Sequence, residues 1–150
     1  MSIEYRTVTR TDHAVLAGLM LELYEEDPAE RHVPEENFSR TLLELETRPE
    51  KGTILVIDKD RQVVGYAVLI NFWSNECGGN VVIIDELFVA KPCRRQGIGA
   101  DFVRHLIDNE WNDAVAVRLE VTPANARARR LYERLGFSSH KNETMQLRLS

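Results

Sequence analysis

The sequence predicts an α/β (α+β) fold, a mixed and mostly antiparallel sheet flanked by helices in the order β-α-α-β-β-β-α-β-α-β. A few stretches carry that prediction. Val81 to Val89 is mostly β-branched and apolar. It passes through a short basic loop into a segment where Phe102, Val103, Leu106 and Ile107 recur at helical spacing. Val115 to Val121 is another strand-like run, again followed by a helical pattern, here closed by Gly136 and Phe137. Upstream, Thr53 to Ile57 and Gln62 to Trp73 flank the turn residues Asp58, Lys59, Asp60 and Arg61, as in an antiparallel pair.

In order, Ile3 to Val8 reads as a first strand. Thr11 or Asp12 can cap a helix whose apolar stripe is Val15, Leu16, Leu19, Met20 and Leu23, and Pro28 ends it. Phe38, Leu42, Leu43 and Leu45 support a second helix that stops before Pro49. Plain core packing accounts for the apolar residues of this helical hairpin. Gly65 inside its strand marks a bulge or a close approach. Residues 74–80 form a turn-rich loop, and Phe72 and Trp73 before it suit either a pocket wall or the core. Gly136 fits the position just past a helix end. Thr144 to Leu149 alternates as an edge strand does. No linker, repeat or low-complexity stretch interrupts the chain, so one domain over 1–150 is expected.

At 150 residues, with 43% hydrophobic and 29% charged residues, the composition is that of a globular protein with a real core. No apolar run approaches the roughly 20 residues of a membrane span, and MSIEYRTVT carries no apolar signal core. Cys77 and Cys93 make no C-x-x-C pair, which favours reduced thiols and a cytoplasmic location. The histidines show no metal-ligand spacing, so no metal is expected. The net charge of −5 argues against a nucleic-acid partner. It conceals an asymmetry. Glu22, Glu25, Glu26, Asp27, Glu30, Glu35 and Glu36 crowd the first third, while Arg94, Arg95, Arg104, Arg118, Arg127, Arg129, Arg130 and Arg134 crowd the last half. Solvated helix faces explain most of these charges. A basic half holding an anionic ligand and an acidic half facing a cationic one is the sharper reading.

The basic loop is Arg94, Arg95, Gln96, Gly97, Ile98, Gly99, with Ala100 opening the helix. A glycine-containing turn at a helix start leaves backbone N–H groups unpaired, and the dipole and arginines add positive charge, so the loop suits a phosphate. A P-loop needs Lys-Ser/Thr after its second glycine, which is absent. The dinucleotide fingerprint needs a third glycine where Phe102 stands. What remains is R-x-x-G-x-G after I-D-E-L-F-V. Downstream, Thr122, Pro123, Ala124 and Asn125 lead into an A-x-x-L-Y helix ending in G-F. In this order and spacing the two motifs resemble those of the GNAT (GCN5-related N-acetyltransferase) superfamily, over roughly residues 81 to 137.

The resemblance implies a sheet splayed at its centre and acetyl-CoA as co-substrate. It implies that the backbone of Leu87, Phe88 and Val89 holds the pantetheine arm and thioester, with an amide acting as an oxyanion-hole element. It places Asn125 close to the coenzyme, although an asparagine after a proline turn is also a favoured helix cap. It makes Tyr132 the general acid towards the departing thiolate. Asp85 and Glu86 interrupt an apolar strand, and a carboxylate there needs a reason. Adjacent strand residues face opposite sides, so only one should reach a given pocket unless a bulge intervenes. By resemblance Asp85 is the base with Glu86 behind it. Binding a cationic amine or pairing with an arginine are the other readings. Cys93 as a covalent carrier is disfavoured, because it sits beside Arg94 at the phosphate end.

The expected activity is therefore transfer of an acetyl group to a small cationic amine (a polyamine, an aminoglycoside or a lysine-like group) by direct transfer in a ternary complex. The alternative is a catalytically silent GNAT domain that binds coenzyme A as a sensor or assembly module. The resemblance also leaves a homodimer open.

Overall fold

A computed structural model describes residues 2–29 and 31–150, so Glu30 of the acidic cluster lies outside the described residues. The chain falls into two compact units, Met1–Glu120 and Val121–Ser150.

The first unit is built on a five-stranded sheet in the order β1-β2-β3-β4-β5, with β1 Ile3–Thr7, β2 Gly52–Lys59, β3 Gln62–Ser74, β4 Gly79–Val89 and β5 Ala116–Leu119. The first four strands pair antiparallel and β5 joins β4 in parallel. Among the described residues α-helices α1 His13–Glu26, α2 Glu35–Thr47 and α3 Ile98–Asp108 accompany them.

Alternation along the strands sorts side chains to the two faces. On one face Ile54 and Val56 of β2, Tyr66 and Val68 of β3 and Phe88 of β4 pack with Leu16 and Met20 of α1 and Phe38, Leu42 and Leu45 of α2. Each such fully buried side chain contributes roughly 1.5–3 kcal/mol relative to exposure. The helical hairpin is thus anchored as core, as its periodicity predicts. Val15 and Leu43, counted in those stripes, fall outside the core-facing arc and are exposed. Phe102, Val103 and Leu106 of α3 are wholly buried, and Tyr5 of β1 meets Phe102 edge-on at 5.3 Å.

Asp12 stands at the start of α1 but does not cap it with its side chain. Its carboxylate instead accepts two hydrogen bonds from the Arg6 guanidinium, at 2.8 and 2.9 Å, and one from the Thr9 backbone N–H. Arg6 also reaches Asp58 at 2.6 Å. The β2–β3 turn uses two non-glycine residues at positive φ, Asp60 and Arg61, the backbone twist that two-residue hairpin turns need. Reciprocal hydrogen bonds between Ser2 and Asp60 hold it.

Gly65 answers to both readings of a strand glycine. The register gains a residue beside it, opposite Ile57 and Asp58, and a Cβ at Gly65 would stand 2.3 Å from the Phe88 carbonyl oxygen. Phe72 and Trp73 are both exposed, with the Arg118 guanidinium 5.6 Å over the Phe72 ring.

The second unit carries α4, Ala126–Arg134. Gly136, at φ 103°, closes it. The Gly136 N–H bonds the Glu133 carbonyl and the Phe137 N–H bonds the Tyr132 carbonyl, satisfying groups a helix end leaves orphaned. The expected final strand, Thr144 to Leu149, is not formed. A strand exists only through pairing, and period-two alternation signals the capacity for it without supplying a partner. Met145, Leu147 and Leu149 are 94%, 84% and 93% exposed, so the element order among the described residues ends at α4.

Candidate active site

β4 carries an extra residue against β3. Val68 pairs with Glu86 and Leu69 with Ile84, leaving Asp85 as the bulged residue. Ile83, paired with Ile70, points to the α1/α2 face, and two positions on, Asp85 follows the same phase. Glu86, opposite Val68, points there as well. The bulge therefore brings both carboxylates to one face, where regular alternation would have separated them.

Glu86 is half-buried and accepts from two phenols, Tyr24 at 2.5 Å and the wholly buried Tyr66 at 2.8 Å. Burial raises its carboxyl above the ordinary glutamate value, the two hydroxyls pull it down, and Asp85 adds to the rise. Both tyrosines are pushed well above the ordinary phenol range, first by burial and then by the Glu86 carboxylate, so they stay protonated donors. Asp85 has surface open to solvent, yet crowding by surrounding protein raises its carboxyl, with Glu120 contributing.

Beyond this pair β4 loses its neighbour. Pairing with β5 runs from Val81↔Ala116 to Ile84↔Leu119 and stops there, so among the described residues Asp85 to Val89 has one edge without a paired strand. The Ala90 N–H donates to the Val64 carbonyl on β3, and alternation then turns the backbone N–H groups of Leu87 and Val89 to the open side. Phe88 differs from the expectation. Its backbone faces β3 and its ring is 3% exposed, so of the three it is not one the free edge offers.

The loop continues from that edge. Arg95 and Gly97 both take left-handed conformations, φ 62° and 77°, and Gly97 precedes α3. The Asp101 N–H bonds Gly97, while the N–H groups of Arg95 to Ala100 have no backbone acceptor among the described residues. A Cβ at Gly97 or Gly99 would meet nothing within 4 Å, so nothing packs against the side-chain direction of these two residues. An anionic group fits a concavity of this kind. Arg94 is otherwise engaged: it donates to the Val89 carbonyl at 2.8 Å and to Glu26 at 2.7 Å, and lies 5.1 Å over the Phe88 ring. It ties the loop to β4 and α1. Gln96 accepts from Lys59 at 2.7 Å. Cys93 is half-buried beside this loop, and it and Cys77 are free thiols.

Within the second unit Asn125 accepts from the Ala128 N–H at 3.1 Å, which makes it the cap of α4. Tyr132 is half-buried, its ring edge-on to Phe137 at 5.8 Å, and burial raises its phenol above the ordinary value.

Tyr24, Tyr66, Lys59 and Glu120 escape sequence reasoning, and Glu26 enters it only as one of the acidic cluster. One signal was present for two of them. Tyr24 continues the Leu16–Met20 stripe of α1 and Tyr66 sits between apolar strand residues, and a core-facing phenol needs a partner for its hydroxyl.

A helix-led anion loop continuous with a half-paired strand defines the class. The acetyltransferase (GNAT) family model matches residues 18–137, and the chain belongs to that family. An uncharacterized N-acetyltransferase of Methanocaldococcus jannaschii is 35% identical over 88 residues, covering 57% of this chain and 53% of that protein. The matched stretch thus spans about half the length of that relative. Among solved structures, a possible acetyltransferase from Clostridium difficile 630 superposes with a TM-score of 0.82 at 23% identity, covering 100% of this chain and 99% of that one. Aminoglycoside N-acetyltransferase AAC(6′)-Iy, in complex with CoA, gives 0.78 at 16% identity over 99% and 96%. At these identities the superpositions establish the fold. Among the described residues no helix is long and apolar enough to cross a membrane, and no cluster of His, Cys, Asp and Glu is arranged to hold a metal.

Proposed function

We propose that this protein is an acetyl-CoA-dependent N-acetyltransferase acting on a small cationic amine. The observation that carries the reading is the open run of backbone donors, from Leu87 and Val89 on β4 to the Arg95–Ala100 loop at α3, in a chain of the GNAT family. Bound acetyl-CoA supplies the thioester. The loop N–H groups hold phosphate, and the β4 N–H groups orient the pantetheine arm and polarise the carbonyl.

Asp85 takes the proton from the acceptor ammonium, which frees the lone pair that forms the new C–N bond. Its raised carboxyl moves towards the range a general base needs. Glu86, fixed by Tyr24 and Tyr66, supplies the negative charge that attracts a cationic acceptor. As the C–S bond breaks, Tyr132 gives its proton to the sulfur, and the second proton shed by the newly acylated nitrogen restores the phenol. Burial raises its phenol above the ordinary value, so the group enters the step as a neutral donor.

The test is thiol release from acetyl-CoA across a panel of amines, with Tyr132→Phe alongside. Turnover on a cationic amine, reduced roughly 10²-fold by the substitution while coenzyme binding persists, is the expected result. Tight coenzyme binding with no turnover on any amine would replace the enzyme with a coenzyme A-binding module. Turnover only on neutral or acidic acceptors would overturn the substrate class.

A further inference from the structure

The β2–β3 turn delivers a lysine to the anion loop from 37 residues away in sequence. Lys59, the last residue of β2, is half-buried, and its Nζ donates to Gln96 Oε1 at 2.7 Å. That partner is a neutral amide. Among the described residues Lys59 forms no salt bridge. An ammonium held this way keeps its full charge and two further N–H donors. Arg94, the loop's first cation, is in the opposite situation. Glu26 neutralises it, and the Val89 carbonyl and Phe88 ring fix its plane. The un-neutralised, restrained charge beside the open amides therefore comes from a different strand.

We infer that Lys59 is a binding residue for the diphosphate of coenzyme A, steered by Gln96. The inference rests on the coenzyme reading above and adds a residue outside the loop and its helix. A flexible lysine would lose side-chain entropy on reaching a phosphate. The Gln96 contact restrains it beforehand, so less is lost on binding. Because the contact is charge-assisted and only half-buried, it should be worth a moderate factor in affinity and should weaken with salt.

The experiment is calorimetric titration of the unaltered protein, Lys59→Met and Lys59→Arg with coenzyme A and with 3′-dephospho-coenzyme A, at low and high salt. Expected is a Kd about 10-fold weaker for Lys59→Met with both ligands at low salt. The salt dependence should be shallower, Lys59→Arg should bind nearly as well as the unaltered protein, and the ligand-free thermal midpoint should not move. Unchanged affinity in Lys59→Met would overturn the inference while leaving the coenzyme reading in place. So would a loss confined to coenzyme A itself, which would assign Lys59 to the 3′-phosphate, or an equal loss at all salt concentrations, which would mark a structural role. Failure of the unaltered protein to bind either ligand would overturn the coenzyme reading and this inference with it.

Discussion

Tyr24 donates its hydroxyl to Glu86 across 62 residues of sequence, at 2.5 Å, and so joins the C-terminal half of α1 to the bulged stretch of β4. Of the two phenols on Glu86, Tyr24 is the more accessible. Tyr24→Phe removes one donor that favours the ionised carboxylate, so the Glu86 carboxyl should rise further. The fold should lose only about 1 kcal/mol. An NMR titration of the Glu86 side-chain carbon should show its midpoint at higher pH in the variant. An unmoved midpoint would mean the short contact does not bias ionisation.

Asp85 and Glu86 both have raised carboxyls, and the sign of their effect on stability follows. Between the unfolded and folded values the native state binds more protons, so stability falls as pH rises through that window and stays lower above it. Asp85→Asn should therefore raise the stability read from urea melts at pH 7, by only about 0.5 kcal/mol because solvent screens the group. The two proteins should converge below the ordinary carboxylate range. A gap of the same size at both extremes would contradict the linkage.

Asp12 works in the other direction. The Arg6 guanidinium holds its carboxyl well below the usual range, with the Thr9 N–H assisting. Its contribution is complete above the unfolded value and is lost as pH falls through the lower folded one. Asp12→Asn should cost about 2–3 kcal/mol at neutral pH. Urea melts at successively lower pH should show that deficit shrinking.

Gly65→Ala places a Cβ against the Phe88 carbonyl, backbone on backbone, with no flexible side chain to give way. We expect a loss of about 1–3 kcal/mol. Since Phe88 lies one residue from Leu87 and Val89, coenzyme affinity should fall with stability. Thermal melts paired with coenzyme A titration check both. Gly18→Ala is the control, as nothing lies within 4 Å of its added Cβ.

The sequence exposes what is local or periodic. The strand-loop-helix unit around Gly97, the Gly136 helix end and the two hairpin helices all follow from residue type and spacing, as does family membership. Register is not local. Whether Asp85 and Glu86 share a face depends on one inserted residue relative to β3, and nothing in I-D-E-L-F-V reports it. Arg94 beside a glycine loop reads as a phosphate ligand, and nothing local in the sequence reports that it also has an acidic partner. That partner is Glu26, 68 residues earlier. The expected strand at Thr144 to Leu149 fails for the converse reason, since alternation is written in the segment but its partner is not.

The bulge at Asp85 shifts the phase of β4. Ile84, opposite Leu69, and Glu86, opposite Val68, face opposite sides of the sheet, where an unbulged strand would put them on the same one, and the extra residue between them has no partner on β3. Asp85 is therefore not held by the cross-strand pairing that fixes its neighbours. The fold thus holds one position, at the fork of the sheet, where a side chain can be exchanged with little consequence for the cross-strand pairing on either side of it.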